Sequence, residues 1–290
     1  MASTSKKWFI GCGIGCGLII LISAGIGGGL YFAFKDVAGE AESIEESFEA
    51  METAFGSPFD FTPQPDGSIA PERMDAFLAA RAATAESRDK MESILLLLDD
   101  DEGSSGEKKK GNMLDKIKAG MKLIPATMTF IKERNEFLVE QGMGSGEYTY
   151  IYSMAYFNFL DKPLTDGPSF QMTGDDGDEG GASWRVNTDG GEDDTRQKRE
   201  KEIRRHLHRM QMSFLDNQLD ILSASSEGFE DLRAALEAEK ESMESARRRL
   251  LWEENFPEAI RRSLEPYRVE LDESYSPVLN VLEVGMVNGN

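Results

Sequence analysis

Cysteine, histidine and positive charge are all scarce in this chain, and each scarcity excludes a class of chemistry. Of its 290 residues two are cysteine, Cys12 and Cys16, and both sit in an uncharged stretch near the N-terminus. Everything after that stretch therefore has no disulfide, no cysteine nucleophile and no thiolate zinc site. The two histidines, His206 and His208, stand two residues apart in a helical pattern. They point to different faces and do not form the i, i+4 pair that shares a metal. No further histidine is present from which a Ser/His/Asp or Cys/His arrangement could be assembled. The segment GMGSG (142–146) sets its serine one place off the nucleophile-elbow pattern, and it reads instead as a helix stop with Ser145 capping the next helix. Acids are plentiful, but nothing singles out a catalytic pair, so no enzyme is expected and no catalytic residue is assigned.

Lysine and arginine number 32 against 53 acids, a net charge of −21; residues 36–290 alone carry −24. That excess argues against nucleic acid as a partner and against adsorption to anionic lipid. No N-x-Ser/Thr sequon occurs anywhere. Its absence suits a bacterial periplasm better than a eukaryotic secretory route.

What the chain does have is a run from Trp8 to Phe34 without a charge. As a helix it is roughly 40 Å long, enough to cross a ~30 Å hydrocarbon core with some tilt. Trp8 and Tyr31 suit the two interfaces; Lys6 and Lys7 precede the run, whereas a mostly acidic segment follows Lys35. The asymmetry predicts a single-pass protein with a cytoplasmic N-terminus (1–7), a membrane helix (8–34) and an exported remainder. In that helix Gly11 and Gly15, Gly13 and Gly17, and Gly25 and Gly29 form small-xxx-small pairs. Such pairs let another helix, from a membrane partner or a second copy, approach closely. The two cysteines share that face as small packing residues.

Beyond the membrane the expected fold class is all-α: a helical stalk (35–56), then a mainly helical bundle (57–290) with antiparallel hairpins. Three prolines and an Asp-Gly turn make 57–70 a loop, and a fourth, Pro71, starts a helix running to about Leu98. Three stripes of alternating three- and four-residue spacing follow. The first is Leu114, Ile117, Met121, Ile124, Met128, Ile131, Asn135 and Leu138, interrupted by Pro125, which should kink or restart the helix. The second is Ile203, Leu207, Met210, Phe214, Asn217, Ile221 and Ala224; the third is Phe229, Leu232, Leu236, Glu239, Met243, Ala246 and Leu250. The last two are out of register, which predicts a turn near Ser225–Gly228 and a hairpin. Asn135 and Asn217 sit at core positions of two stripes and are candidates for a register pair that hydrogen-bonds to each other or to buried water. Two more short helices are expected at the C-terminus, opened near Asn255 and Ser276.

Three segments carry candidate sites. EYTYIYSMAYFNFL (147–160) holds six aromatic residues and is apolar almost all round. Tyr148, Tyr152, Tyr156 and Phe159 on it form either the buried centre of the bundle or a surface for a partner or a small apolar ligand. The acidic, glycine-rich stretch 172–195 reads as a disordered insert, since Asp175, Asp176 and Asp178 fit no calcium loop. TPQPDGSIAPER (62–73) fails the same test at both ends, so no metal and no cofactor is expected. Finally Arg196, Lys198, Arg199, Lys201, Arg204, Arg205 and Arg209 follow the acidic stretch directly. They serve either local charge balance or a docking face for an acidic partner. The whole is read as a membrane-anchored scaffold or accessory subunit that binds other proteins.

Overall fold

Glycine and proline divide the chain where their backbone preferences require. The structure is a computed structural model describing residues 31–99, 111–167, 169–173, 183–187, 193–224 and 228–284. Residues 1–30, which hold most of the expected membrane helix and Gly11, Gly13, Gly15, Gly17, Gly25 and Gly29, lie outside the described residues. No described helix is long and apolar enough to cross a membrane.

Helix α1 (Tyr31–Phe55) ends at Gly56, whose φ of +74° takes the chain out of the helix while its N–H still bonds Glu52 O at 2.8 Å. Ser57 then caps a single 3-10 turn, Pro58–Asp60, in a reciprocal capping box. Helix α2 (Pro71–Ala83) begins at its first-turn proline, as expected. The helix predicted to run on to Leu98 is instead broken at Thr84 (φ −93°, ψ 8°), and α3 (Ala85–Asp99) follows it. The Thr84 hydroxyl bonds back to Ala80 O at 2.9 Å, the local competition that makes threonine a poor helix interior.

Helix α4 (Gly111–Glu140) passes through Pro125 as one element and ends in a Schellman motif. There Met143 N–H bonds Leu138 O, and Gly142 N–H bonds Val139 O, with Gly142 at φ +62°. Helix α5 (Ser145–Tyr152) is capped at Gly144 without a side-chain bond, so Ser145 is its first residue and not its cap. It widens into a π-helix over Ser153–Phe159.

One antiparallel hairpin interrupts the helices: β1 (Ser169–Thr173) pairs with β2 (Ser183–Asn187), with Phe170 opposite Val186 and Met172 opposite Trp184. The segment expected to be wholly unstructured from 172 to 195 therefore contains a strand, and helix α6 (Asp193–Ala224) starts inside it. Both strands alternate polar with apolar or aromatic residues, the period-2 pattern of a ladder. Helix α7 (Glu230–Ser245) returns along α6, with Arg233 bonded to Leu222 O and Lys240 to Asp216. This is the predicted antiparallel pair. The chain closes with α8 (Glu258–Leu264), α9 (Arg268–Ser274) and α10 (Asn280–Glu283), α8 and α9 being separated by a turn at Pro266.

Two apolar clusters hold these elements. The smaller joins α1, α3 and α4 through Ile44, Met91, Ile94, Leu95, Met128, Phe130 and Ile131. Helix α1 is thus not a free stalk over 35–56, because Ile44, Ser47 and Met51 are buried in the body. The larger cluster centres on α5 and gathers α2, α6, α7 and the C-terminal helices around it. On α6 the predicted stripe holds from Ile203 to Phe214 and then shifts, so Gln218 and Leu222 are buried while Ile221 is 49% exposed. An undistorted helix has 3.6 residues per turn and drifts away from a 3.5-residue pattern.

Candidate functional site

The deepest polar chemistry of the protein surrounds Arg81, on the buried side of α2. Met74, Phe77, Arg81 and Thr84 are spaced three, four and three residues apart and share one face of that helix, so the geometry that buries the first two also buries the arginine. Its guanidinium is fully enclosed. Nη1 donates to the Tyr148 hydroxyl at 3.0 Å and pairs with Glu283 Oε1 at 3.0 Å, while Nε and Nη2 both donate to Ser274 O. Above and below it lie the rings of Tyr156, Tyr152 and Phe77, with centroids 5.0, 5.4 and 5.8 Å from the guanidinium carbon. A planar cation with five donors suits this mixture of fork-shaped hydrogen bonding and ring contact better than an ammonium does.

Around that centre the remaining groups close on one another. Tyr148 donates to Glu283 Oε2 at 2.7 Å, and Tyr152 donates to Asn280 Oδ1 at 3.0 Å. Asn280 in turn donates to Leu164 O and Asp166 O, and the hydroxyls of Tyr156 and Ser274 bond at 2.9 Å. Arg88, one helix further along, donates to Ser274 O at 2.7 Å and to Arg81 O at 2.6 Å. The network ties α2, α3, α5 with its π extension, α9 and α10 together.

Electrostatics follow from the geometry. Burial alone would lower the affinity of Arg81 for its proton, but the facing tyrosines and Glu283 hold it well above the ordinary arginine value. Burial likewise opposes ionisation of Glu283, and the charges of Arg81 and Arg134 overcome it, holding the carboxyl below its usual range. Burial pushes the Tyr148, Tyr152 and Tyr156 hydroxyls up, so all three stay neutral donors. Arg88 is lowered, first by burial and then by the neighbouring Arg81 charge. The arrangement is a charged clasp whose groups bond one another.

Tyr148, Tyr152, Tyr156 and Phe159, expected to form either the centre or a surface, occupy the centre, none more than 6% exposed. The rings of Tyr148, Tyr152 and Tyr156 pack tilted against Phe77, Tyr275 and each other, with centroids 4.6 to 6.2 Å apart. Two depressions of the surface lie elsewhere. One, of about 230 Å³, is bordered by Phe55, Asp60, Gly144 and Glu147; the other lies between α6 and the chain following α7.

The predicted register pair does not form. Asn135 donates to Ser47 Oγ on α1 at 3.3 Å, and Asn217 donates to Phe59 O and Phe61 O at 2.9 and 3.0 Å. Each asparagine faces a different neighbour of its own helix, so they act as two separate tethers, one for α1 and one for the loop before α2.

A second buried pair lies at the far end of α7. Glu239 Oε2 accepts from Arg249 Nη2 at 3.0 Å, its Oε1 pairs with Arg249 Nη1 at 2.8 Å and accepts from Trp252 N–H at 2.6 Å, and Gln211 Oε1 accepts from Leu251 N–H at 2.9 Å. These bonds hold a loop in which Trp252 has a φ of +58°, unusual for a bulky residue. Among the described residues no three His, Cys, Asp or Glu side chains gather as a metal ion requires.

Arg81, Arg88, Asn280 and Glu283 are not residues that the sequence alone singles out. A signal is present for Arg81, an arginine at a core position of an alanine-rich helix, and for Glu239, an acid inside an apolar stripe. Nothing local marks Glu283, which meets Arg81 across 202 residues. Comparison with known proteins places the chain beside none of them: no family model, no curated protein and no solved structure matches it.

Proposed function

We propose that the chain is a membrane-anchored scaffold or accessory subunit that binds other proteins of a larger assembly, for example a respiratory, photosynthetic or export complex. Residues 8–34 hold it in a bacterial inner membrane with the N-terminus in the cytoplasm and the helical body in the periplasm. Its work is binding, without a catalytic step, a metal or a cofactor.

The observation that carries this reading is where the body keeps its polar and apolar groups. Two buried charge pairs form, Arg81 with Glu283 and Arg249 with Glu239, buried Arg88 bonds backbone carbonyls, and the aromatic helix is enclosed by packing. Large apolar side chains meanwhile stand on the surface: Phe48 is 44% exposed, Phe229 42% and Val269 64%. A body with its charge pairs and aromatic helix inside and apolar anchors outside suits recognition through surfaces.

The test is extraction of the tagged chain from its own membranes in mild detergent, followed by identification of what accompanies it. Stoichiometric partners that are lost when Gly11, Gly13, Gly15 and Gly17 are changed to leucine are the expected result. Recovery of a lone chain, unchanged by those substitutions, overturns the reading.

A further inference from the structure

We infer that the groove between α6 and the chain following α7 is a docking site for a short, acidic, extended segment of a partner protein. The inference rests on the reading of the chain as a protein-binding subunit and names the chemistry of one contact. In a chain of net charge −21, this groove of about 500 Å³ is lined by Lys201, Arg205, Arg209, Arg247 and Arg248 against a single carboxylate, Glu244. Such a concentration of one sign inside a field of the other focuses potential on the groove.

Neighbouring basic residues are consumed by the fold. Arg204 pairs with Glu200 and Glu253, and Arg249 turns inward to Glu239. Lys201, Arg209, Arg247 and Arg248 are exposed, and none of these four has an ion-pair partner among the described residues. The groove wall is nevertheless rigid. His208 Nδ1 meets Arg249 O at 2.9 Å, and Arg204 donates to Arg248 O at 3.3 Å, so the loop carrying Arg247 and Arg248 is stitched to α6. Exposed cations on a fixed backbone lose less freedom when a ligand binds.

Spacing selects the ligand. Lys201, Arg205 and Arg209 repeat every four residues, about 6 Å along a helix. An extended peptide presents every second side chain about 6.8 Å apart. Acids at alternate positions of a strand-like segment therefore match the pitch of this row, and those four positions apart fall opposite Lys201 and Arg209, with arginine offering two parallel donors to a carboxylate. A single phosphate spans only one step of that row. Nucleic acid or an anionic bilayer would carry its charge past the groove onto the acidic body, where it is repelled.

The experiment is fluorescence anisotropy of the full-length protein in neutral detergent with a labelled (Glu-Ser)₅ peptide. Binding is expected, with loss of at least about tenfold between 50 and 500 mM NaCl and no binding of (Gln-Ser)₅. Arg209→Glu with Arg247→Glu should weaken it by at least about tenfold. Lys132→Glu with Arg262→Glu changes net charge equally on other faces and should leave it within about twofold, both double variants melting as the parent does. Absence of binding, equal loss in both double variants, or tighter groove-dependent binding of a twenty-nucleotide DNA or of phosphatidylserine in mixed micelles overturns the inference. If the peptide fails while membrane partners still co-purify, the groove assignment falls and the scaffold reading stands. If the peptide binds through the groove while nothing co-purifies with the chain, the groove assignment stands and the scaffold reading falls.

Discussion

Replacing Arg81 by methionine removes the cation from the centre of the clasp at nearly constant side-chain length. Glu283, with a side chain 1% exposed, then keeps only the Tyr148 hydroxyl as a direct partner and loses the largest of the arginine charges that hold it ionised. Ser274 O loses two of its donors and keeps Arg88. Breaking one side of a buried pair in this way costs about 3–5 kcal/mol, a large fraction of the roughly 5–15 kcal/mol that holds a typical fold. For a body of this size that corresponds to a fall in melting temperature of roughly 6–20 °C. Thermal unfolding of the full chain in detergent, followed by circular dichroism at 222 nm, reads it directly. Adding Glu283→Met removes the stranded charge as well, and the double variant should recover about half of the loss, a coupling of about 2 kcal/mol. A single substitution costing under ~1 kcal/mol, or a double variant whose losses simply add, refutes the account of Arg81 and Glu283 as a mutually dependent pair.

The same pair sets an acid limit. Because Glu283 is held below the ordinary carboxylate range in the folded state, its contribution is complete above an unfolded value of about 4.3 and is lost as pH falls from there through the depressed native value. Urea midpoints at pH 6, 5, 4 and 3 should therefore show a loss on the acid side that Glu283→Gln reduces; an identical pH profile in that variant contradicts the assignment. Glycine at 146 is required by space, since a Cβ there would stand 2.2 Å from Pro58 O, whereas at Gly142 a Cβ meets nothing within 4 Å and only the φ of +62° is at stake. Gly146→Ala should cost about 1–3 kcal/mol and Gly142→Ala about 1 kcal/mol in urea unfolding, and equal costs would remove the packing argument.

Much of the helical plan is legible in the sequence because it is written in local chemistry. Pro71 starts α2, Gly56 and Gly142 end α1 and α4, and the change of register between the second and third stripes places the α6–α7 turn. What is not legible depends on distance or on competition. Thr84 breaks a pattern that its apolar neighbours would continue, and Ile221 is exposed because the helix drifts past the stripe. The asparagines at stripe positions are, as their pattern suggests, polar groups in need of partners. Those partners, Ser47 and two loop carbonyls, come from segments whose approach no periodicity encodes. Of the centre itself, the aromatic helix is visible in composition alone, while the charge at its middle requires knowing that the last helix returns to α2.

That return has a consequence for biosynthesis. Arg81, Tyr148 and Tyr152 emerge early, yet their partners Glu283 and Asn280 are among the last described residues to be made. Until α10 arrives, a nascent body would have to enclose an arginine without its counter-ion, which a low-dielectric interior resists. A chain interrupted before Asn280 thus lacks the Glu283 and Asn280 partners of its centre. Closure of the interior therefore waits on α10, however early the aromatic helix is made.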